Sequence, residues 1–326
     1  MDSTRRRKST AADEIIALAA APRRQRRREQ GRPTTVRAVR DVIDTIDGTV
    51  QSMVSRGRVG SLGDRDPGFL EEAMCWLGPL SDVYFRGEVR DIGRIPARGP
   101  VLAVGNHSGG LLTPDTWVFL VGFYRQFGLR RRSYALAHNL VLGAPAVGGV
   151  LRKLGTLPAE PESARRALRS GAAVLVYPGG DEDVFRSWRD RNRIQLARRT
   201  GFIRLALQER VPIAPVVSVG GHETVMVLGN GRRVARLLGA NRFRMKSLPL
   251  VIAPPWGVSP GDMLSHIPLP AKITVEVGEL IDFHAQFGDL DPRDPEVIWA
   301  CYHLVERRMQ AILDRLAAER RLPILG

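Results

Sequence analysis

The sequence predicts an α/β fold: a mainly parallel central sheet flanked by helices, preceded by N-terminal helices and a basic arm. Three observations carry this. Short apolar runs that end in glycine- or asparagine-containing loops recur along the chain. Helical spacing or a helix-start signal follows most of them. The chain is also large enough, at 326 residues with 44 % hydrophobic and 25 % charged, to bury a full core without disulfides or metal.

Taken in order, residues 1–35 are expected to form a mostly disordered basic arm, since only Ala11 to Ala21 has helical spacing; without an apolar stretch or cleavage site they do not read as a secretory signal. Residues 1–40 hold 12 Arg/Lys against 4 Asp/Glu, more than half of the net charge of +15. Arginine outnumbers lysine 45 to 4, a bias that GC-rich coding alone produces, so it is not read as a choice of phosphate-binding residues. Val39, Val42, Ile43 and Ile46 give residues 36–56 helical spacing. A glycine-rich linker (58–68) follows, then FLEEAMCWLGPL at 69–80, apolar around much of its circumference. Residues 36–82 thus read as an N-terminal helical segment and 83–326 as the α/β domain.

Within that domain a strand is expected from Tyr84 (YFRGEVRDI), then a buried strand in VLAVGN. Thr113 is the expected N-cap and Pro114 the first residue of the next helix. AVLVYPGG at 173–180 is a buried strand running into a glycine turn, GFIRLALQER a helix, and residues 211–219 the next strand. AKITVEVGE alternates as a later strand, and Asp294-Pro295 opens an amphipathic helix running through Leu316. Cys75 and Cys301 form no CxxC or Cys/His cluster, which argues against a disulfide framework and a structural zinc site. No apolar run reaches the roughly 18 residues of a spanning helix.

Strand-end loops carry the sites of α/β proteins, and two stand out: Asn106-His107-Ser108-Gly109-Gly110 and Tyr177-Pro178-Gly179-Gly180-Asp181. A histidine beside a carboxylate is the minimal general-base pair, the carboxylate setting the tautomer and stabilising the imidazolium. Asp115 follows His107 by eight positions, and the Gly-Gly turn can fold it back. From spacing alone, a structural histidine and a plain glycine turn remain the alternatives.

In combination these pieces resemble a known family. NHSGG with Asp115, then Gly155-Thr156-Leu157-Pro158, then VYPGG, then VPIAPVV is similar to the four ordered blocks of the lysophospholipid (glycerolipid) acyltransferase superfamily. The PGG form of the third block looks most like the branch with mono- and diacylglycerol acyltransferase-like proteins. The resemblance runs over about residues 84–221 and implies His107 as the base that activates an acceptor hydroxyl, with Asp115 orienting it. It further implies direct attack on an acyl thioester, with acyl-CoA or an acyl carrier protein as co-substrate and no resident cofactor or metal. Asn106, Ser108, Gly109, Gly110, Tyr177, Pro178, Gly179, Gly180 and Asp181 would line the acceptor site, with Arg186 and Arg199 offsetting the acids of the third block. The sequence departs from the family pattern in three places. Seven residues separate His107 from Asp115 where the usual motif has four; Gly179 replaces the usual glutamate and Asp181-Glu182-Asp183 follow; and the second block lacks its arginine.

Two rival readings stand beside it. NHSGG resembles a nucleophile elbow with Ser108 as a hydrolase nucleophile, but Asn106 sits where that elbow wants a small residue. The basic arm alternatively suggests a non-catalytic membrane- or nucleic-acid-binding protein, although no nucleic-acid-binding pattern is present and none is expected as a partner. The remaining candidates read as structural: Glu223 as a loop acid, His138 and His303 as core or surface residues, Trp76, Trp117 and Trp256 as packing or interface residues. Tryptophan in 69–80 and in LPLVIAPPWG at 248–257, together with the arm, leads to the expectation of peripheral attachment to an anionic membrane surface on the cytoplasmic face. Core helix and buried strand are the alternatives for those two segments.

Overall fold

The computed structural model describes residues 60–144, 147–229, 250–253, 257–260 and 267–322. The expected arm, the helix at 36–56, and half of segment 248–257, Trp256 included, lie outside them. Ten strands, β1 to β10, are described: Glu88–Arg90, Val101–Gly105, Ser133–Ala137, Thr156–Pro158, Ala173–Val176, Ile213–Val219, Met226–Gly229, Leu250–Ala253, Gly257–Pro260 and Thr274–Val277. The helices are α1 Pro67–Pro79, α2 Pro114–Phe127, α3 Asn139–Gly143, α4 Val147–Lys153, α5 Pro161–Arg169, α6 Asp181–Val184, α7 Gly201–Glu209, α8 Phe283–Phe287 and α9 Pro295–Glu319.

Seven strands form one sheet in the order β1-β10-β6-β2-β5-β3-β4. The run from β6 to β4 is parallel. β10 pairs antiparallel with β6 and parallel with β1, so this edge pair runs against the rest. The expected mainly parallel sheet is therefore observed. A separate antiparallel sheet holds β7, β8 and β9.

Side-chain alternation explains how the sheet is covered. Along β2, Leu102 and Val104 enter one apolar cluster while Val101 and Ala103 enter another; β6 divides likewise, with Ile213 and Val217 against Ala214 and Val216. Successive residues of a strand face opposite sides, so both faces need helices. One cluster takes Ala164 and Leu168 of α5, Ile203 and Leu207 of α7, and Tyr302, Val305, Met309 and Leu313 of α9. The other takes Leu70, Ala73 and Leu77 of α1 and Val118, Phe119 and Phe123 of α2. A sheet buried on both faces reads in sequence as unbroken apolar runs, as VLAVG does.

Two local expectations are corrected, and a third, Thr113 as the N-cap, holds in position but not in conformation. The strand expected from Tyr84 begins only at Glu88, because α1 continues through a wider helical turn at Leu80–Tyr84 before Gly87 releases the chain. Gly68, placed in the linker, is already inside α1, which Asp66 caps by accepting from the Phe69 amide. Thr113 does precede α2, but in a left-handed conformation (φ 45°, ψ 54°) and without a capping side-chain bond. For 69–80 the core-helix alternative holds on one face: Leu70, Ala73 and Leu77 are buried, whereas Trp76 is 52 % exposed.

Candidate active site

β2 lies between β5 and β6, so the loops leaving the C-terminal ends of these three parallel strands meet. The first carries Asn106, His107 and Ser108; the second Tyr177 to Gly180 and then α6; the third runs from Gly220 to Glu223.

The first loop is shaped by Gly109. Its φ is +86°, and a Cβ there would lie 2.4 Å from Cδ of Pro114. Only glycine lets the loop fold this tightly onto the start of α2. The additional residues between His107 and Asp115 are taken up in a short 3-10 turn, Gly110–Leu112. Asp115, in the first turn of α2, is thereby returned to His107 with Oδ2 3.3 Å from Nδ1. Asp115 is 2 % exposed. Its Oδ2 also accepts from the Ser108 amide at 2.8 Å and the Ser108 hydroxyl at 3.2 Å, and its Oδ1 accepts from the Thr116 amide at 2.8 Å. A carboxylate held by this many donors is fixed in place.

His107 keeps 15 % of its side chain accessible, and Tyr177 covers one face of the ring. The two rings stack at 4.0 Å and 12°, and the Tyr177 hydroxyl accepts from Thr116 Oγ1 at 2.9 Å. A bond from Nδ1–H to Asp115 leaves Nε2 as the nitrogen free to take a proton.

Asn106 exchanges two bonds with Ser218 of β6: Nδ2 donates to the carbonyl at 2.9 Å, and the Ser218 amide donates to Oδ1 at 2.8 Å. Ser108 is buried with its hydroxyl turned to Asp115. Arg186 is also buried; Nη1 lies 2.8 Å from Asp183 Oδ1, Nη2 2.7 Å from His222 Nε2, and Nη1 donates to the Arg193 carbonyl. The polar atoms of these three side chains are directed at protein, where they hold the loops together. Arg186 does offset an acid, as expected of it, but an internal one. Arg199, on the rim, donates to Asp181 Oδ1 at 2.9 Å and to the Pro178 carbonyl at 3.1 Å.

The third block explains its own glycines. A Cβ on Gly179 would lie 2.2 Å from the Gln195 carbonyl oxygen and 2.3 Å from Cβ of Asp183; Gly180 has φ +54° with Arg199 against it. Asp183, fully buried, accepts from the His107 amide at 2.5 Å. Burial pushes its carboxyl up to about 6, against the pull of Arg186. Burial also holds His222 well below its usual range, helped by the charge of Arg186, so its imidazole is neutral and Nε2 can accept from Arg186. Glu223, read as a loop acid, is buried 3.7 Å from Arg191, and burial raises its carboxyl against Arg320 and Arg191. Asp183, Ser218, Thr116 and His222 were not singled out from sequence; the acidic run after the PGG turn was the only signal for Asp183.

A histidine–aspartate pair at the end of a central parallel strand, roofed by a PGG loop, matches a known domain class: residues 86–219 match the family model described as Acyltransferase. Over that stretch the chain is similar to acyltransferases. An uncharacterized protein of Mycobacterium tuberculosis is 32 % identical over 243 residues, 74 % of this chain and 65 % of that one. This chain thus spans a little under two-thirds of that relative's length. The human DGAT1/2-independent enzyme synthesizing storage lipids is 26 % identical over 251 residues, 77 % of this chain and 67 % of the enzyme. Diacylglycerol O-acyltransferase 2 of Dictyostelium discoideum is 30 % identical over 160 residues, 48 % of this chain and 47 % of that protein. Among solved structures, the 1-acyl-sn-glycerophosphate acyltransferase PlsC of Thermotoga maritima aligns with a TM-score of 0.44 at 17 % identity, covering 78 % of this chain and 80 % of that one.

Proposed function

We propose that the protein transfers a long-chain acyl group from an acyl thioester, carried by coenzyme A or a carrier protein, to a hydroxyl of a glycerolipid. The single observation that carries the reading is the 3.3 Å approach of His107 Nδ1 to the buried Asp115 carboxylate. With Nδ1–H directed to Asp115, Nε2 removes the acceptor's proton as its oxygen attacks the thioester carbonyl. The imidazolium then returns that proton to the leaving thiolate. Asp115 stabilises the transient imidazolium. The buried Ser108 hydroxyl faces Asp115 and not an imidazole Nε2, which favours direct transfer over an acyl-serine intermediate. The storage-lipid and diacylglycerol acyltransferase relatives support a glycerolipid acceptor. So does the pairing of the third-block acids with arginine, which leaves Arg186 unavailable for a phosphate.

The test is transfer of a labelled long-chain acyl thioester to a panel of lysophospholipids and acylglycerols. His107→Ala should lower turnover by about 10²–10⁴-fold while the protein stays folded, and no acylated Ser108 peptide should accumulate. Near-normal turnover in that variant would exclude His107 as the base.

We further propose that the protein works at the cytoplasmic face of an anionic membrane, where such acceptors reside. Among the described residues no helix is long and apolar enough to cross a membrane, and the exposed Trp76 of α1 and Val83 of the turn after it are suited to interfacial contact.

A further inference from the structure

Asp183 has no part in the proton transfer just described, yet it is fully buried and touches the loop that carries the base. Burying a carboxylate is costly unless it is paired and hydrogen-bonded, so its placement calls for a compensating role. Three observations define that role. Asp183 Oδ2 accepts from the backbone N–H of His107 itself, across 76 residues of sequence. Its other oxygen lies 2.8 Å from Arg186 Nη1, and Arg186 is held in turn by His222 Nε2 and the Arg193 carbonyl. Gly179 is the position at which any side chain would collide with Cβ of Asp183, so the glycine of the third block is what admits the carboxylate beneath the loop.

Resting on the catalytic reading above, we propose that Asp183 is a positioning residue. It clamps the His107 backbone to the third block, with Arg186 and His222 as its supports, and so sets where the imidazole stands between Asp115 and the acceptor. The anchoring is one-sided without it: Asp115 fixes the ring through Nδ1 and the next residue through the Ser108 amide, but only Asp183 holds the amide of His107. A shift of about 1 Å in a base is enough to cost on the order of 10²-fold in rate.

The test combines kinetics with hydrogen exchange on the full-length protein. Asp183→Ala should lower kcat by about 10–100-fold with KM for donor and acceptor little changed. Asp183→Asn, which keeps an oxygen for the His107 N–H, should recover most of kcat. The His107 amide should exchange slowly in the native protein and in Asp183→Asn, and markedly faster in Asp183→Ala. Wild-type kcat in a folded Asp183→Ala variant overturns the proposal, as does Asp183→Asn damaged as severely as Asp183→Ala. If Asp183→Ala does not fold, the native protein decides: an unprotected His107 amide overturns the clamp, and a protected one that loses protection in Asp183→Asn does so too. His107→Ala run alongside separates the two hypotheses, since its retention of activity sinks the catalytic reading while the exchange data still judge the clamp.

Discussion

Asp183 and His222 are oppositely shifted members of one buried cluster, and this makes the site's response to pH calculable in sign. Asp183 faces Arg186 and the His107 amide at contact distance, with the charges of His107 and Asp115 beyond them. Its native value of about 6 lies above the roughly 3.9 of an unfolded aspartate. Between these values the native state binds more protons than the unfolded one, so this group's contribution to stability grows as pH falls through that window. His222, held low by burial, acts in the opposite direction, because the unfolded state takes up its proton first. The two effects are separable: His222 remains in Asp183→Asn. On going from about pH 7.5 to about pH 5, the wild type should gain stability relative to Asp183→Asn in urea titrations. A relative loss, or no change, would place the ionised carboxylate in a better-solvated setting than the structure does.

At the scale of elements, the site depends on close approaches that only glycine permits. The PGG turn crosses Asp183 and the backbone at Gln195 with no room for a methyl group on Gly179. Gly179→Ala should therefore destabilise the fold by about 1–3 kcal/mol through forced backbone shifts and lower kcat more than stability alone would explain, because α6 must move and Asp183 with it. Gly149→Ala in α4, where a Cβ would meet nothing within 4 Å, is the control and should be neutral or slightly stabilising. Unfolding curves together with kcat for both variants would check this. Equal effects from the two substitutions would mean that the turn is looser than its contacts imply.

For the molecule as a whole, the question is whether its surface reaches lipid. α1 buries Leu70, Ala73 and Leu77 in the core and leaves Trp76 outward, as the turn after it leaves Val83, so the same segment can pack and touch an interface. Flotation of full-length protein with anionic and neutral liposomes should show binding that prefers anionic vesicles and weakens with salt, as expected for a chain with net charge +15. Trp76→Ser should reduce the part that survives high salt. Protein that stays wholly unbound with anionic vesicles at low salt would count against membrane attachment and point to a soluble acceptor.

Sequence by itself determined the elements whose signals are local. VLAVG, AVLV and IAPVVSV are apolar because both faces of a parallel sheet are covered, so a strand buried on both sides can be read without knowing its neighbours. Asp294-Pro295 announces α9, and the order of the four blocks identified the domain class. Strand β3 is only half-buried and helix α5 buries mostly small residues, Ser163, Ala164 and Ala167 beside Leu168, so neither is marked by a run of large apolar side chains. What only the tertiary structure decided is which polar residues converge. The distance from His107 to Asp115 depends on a left-handed glycine and a 3-10 turn, not on the number of intervening residues, so a motif longer than usual still closes. Asn106, Ser108 and Arg186 carry the same signal in sequence whether they face outward or inward, and only the fold shows that their polar atoms meet protein. Asp183 was one acid in a run of three, and burial alone distinguishes it from its neighbours. Burial depends on what lies across the fold, and for Asp183 that is His107, 76 residues away.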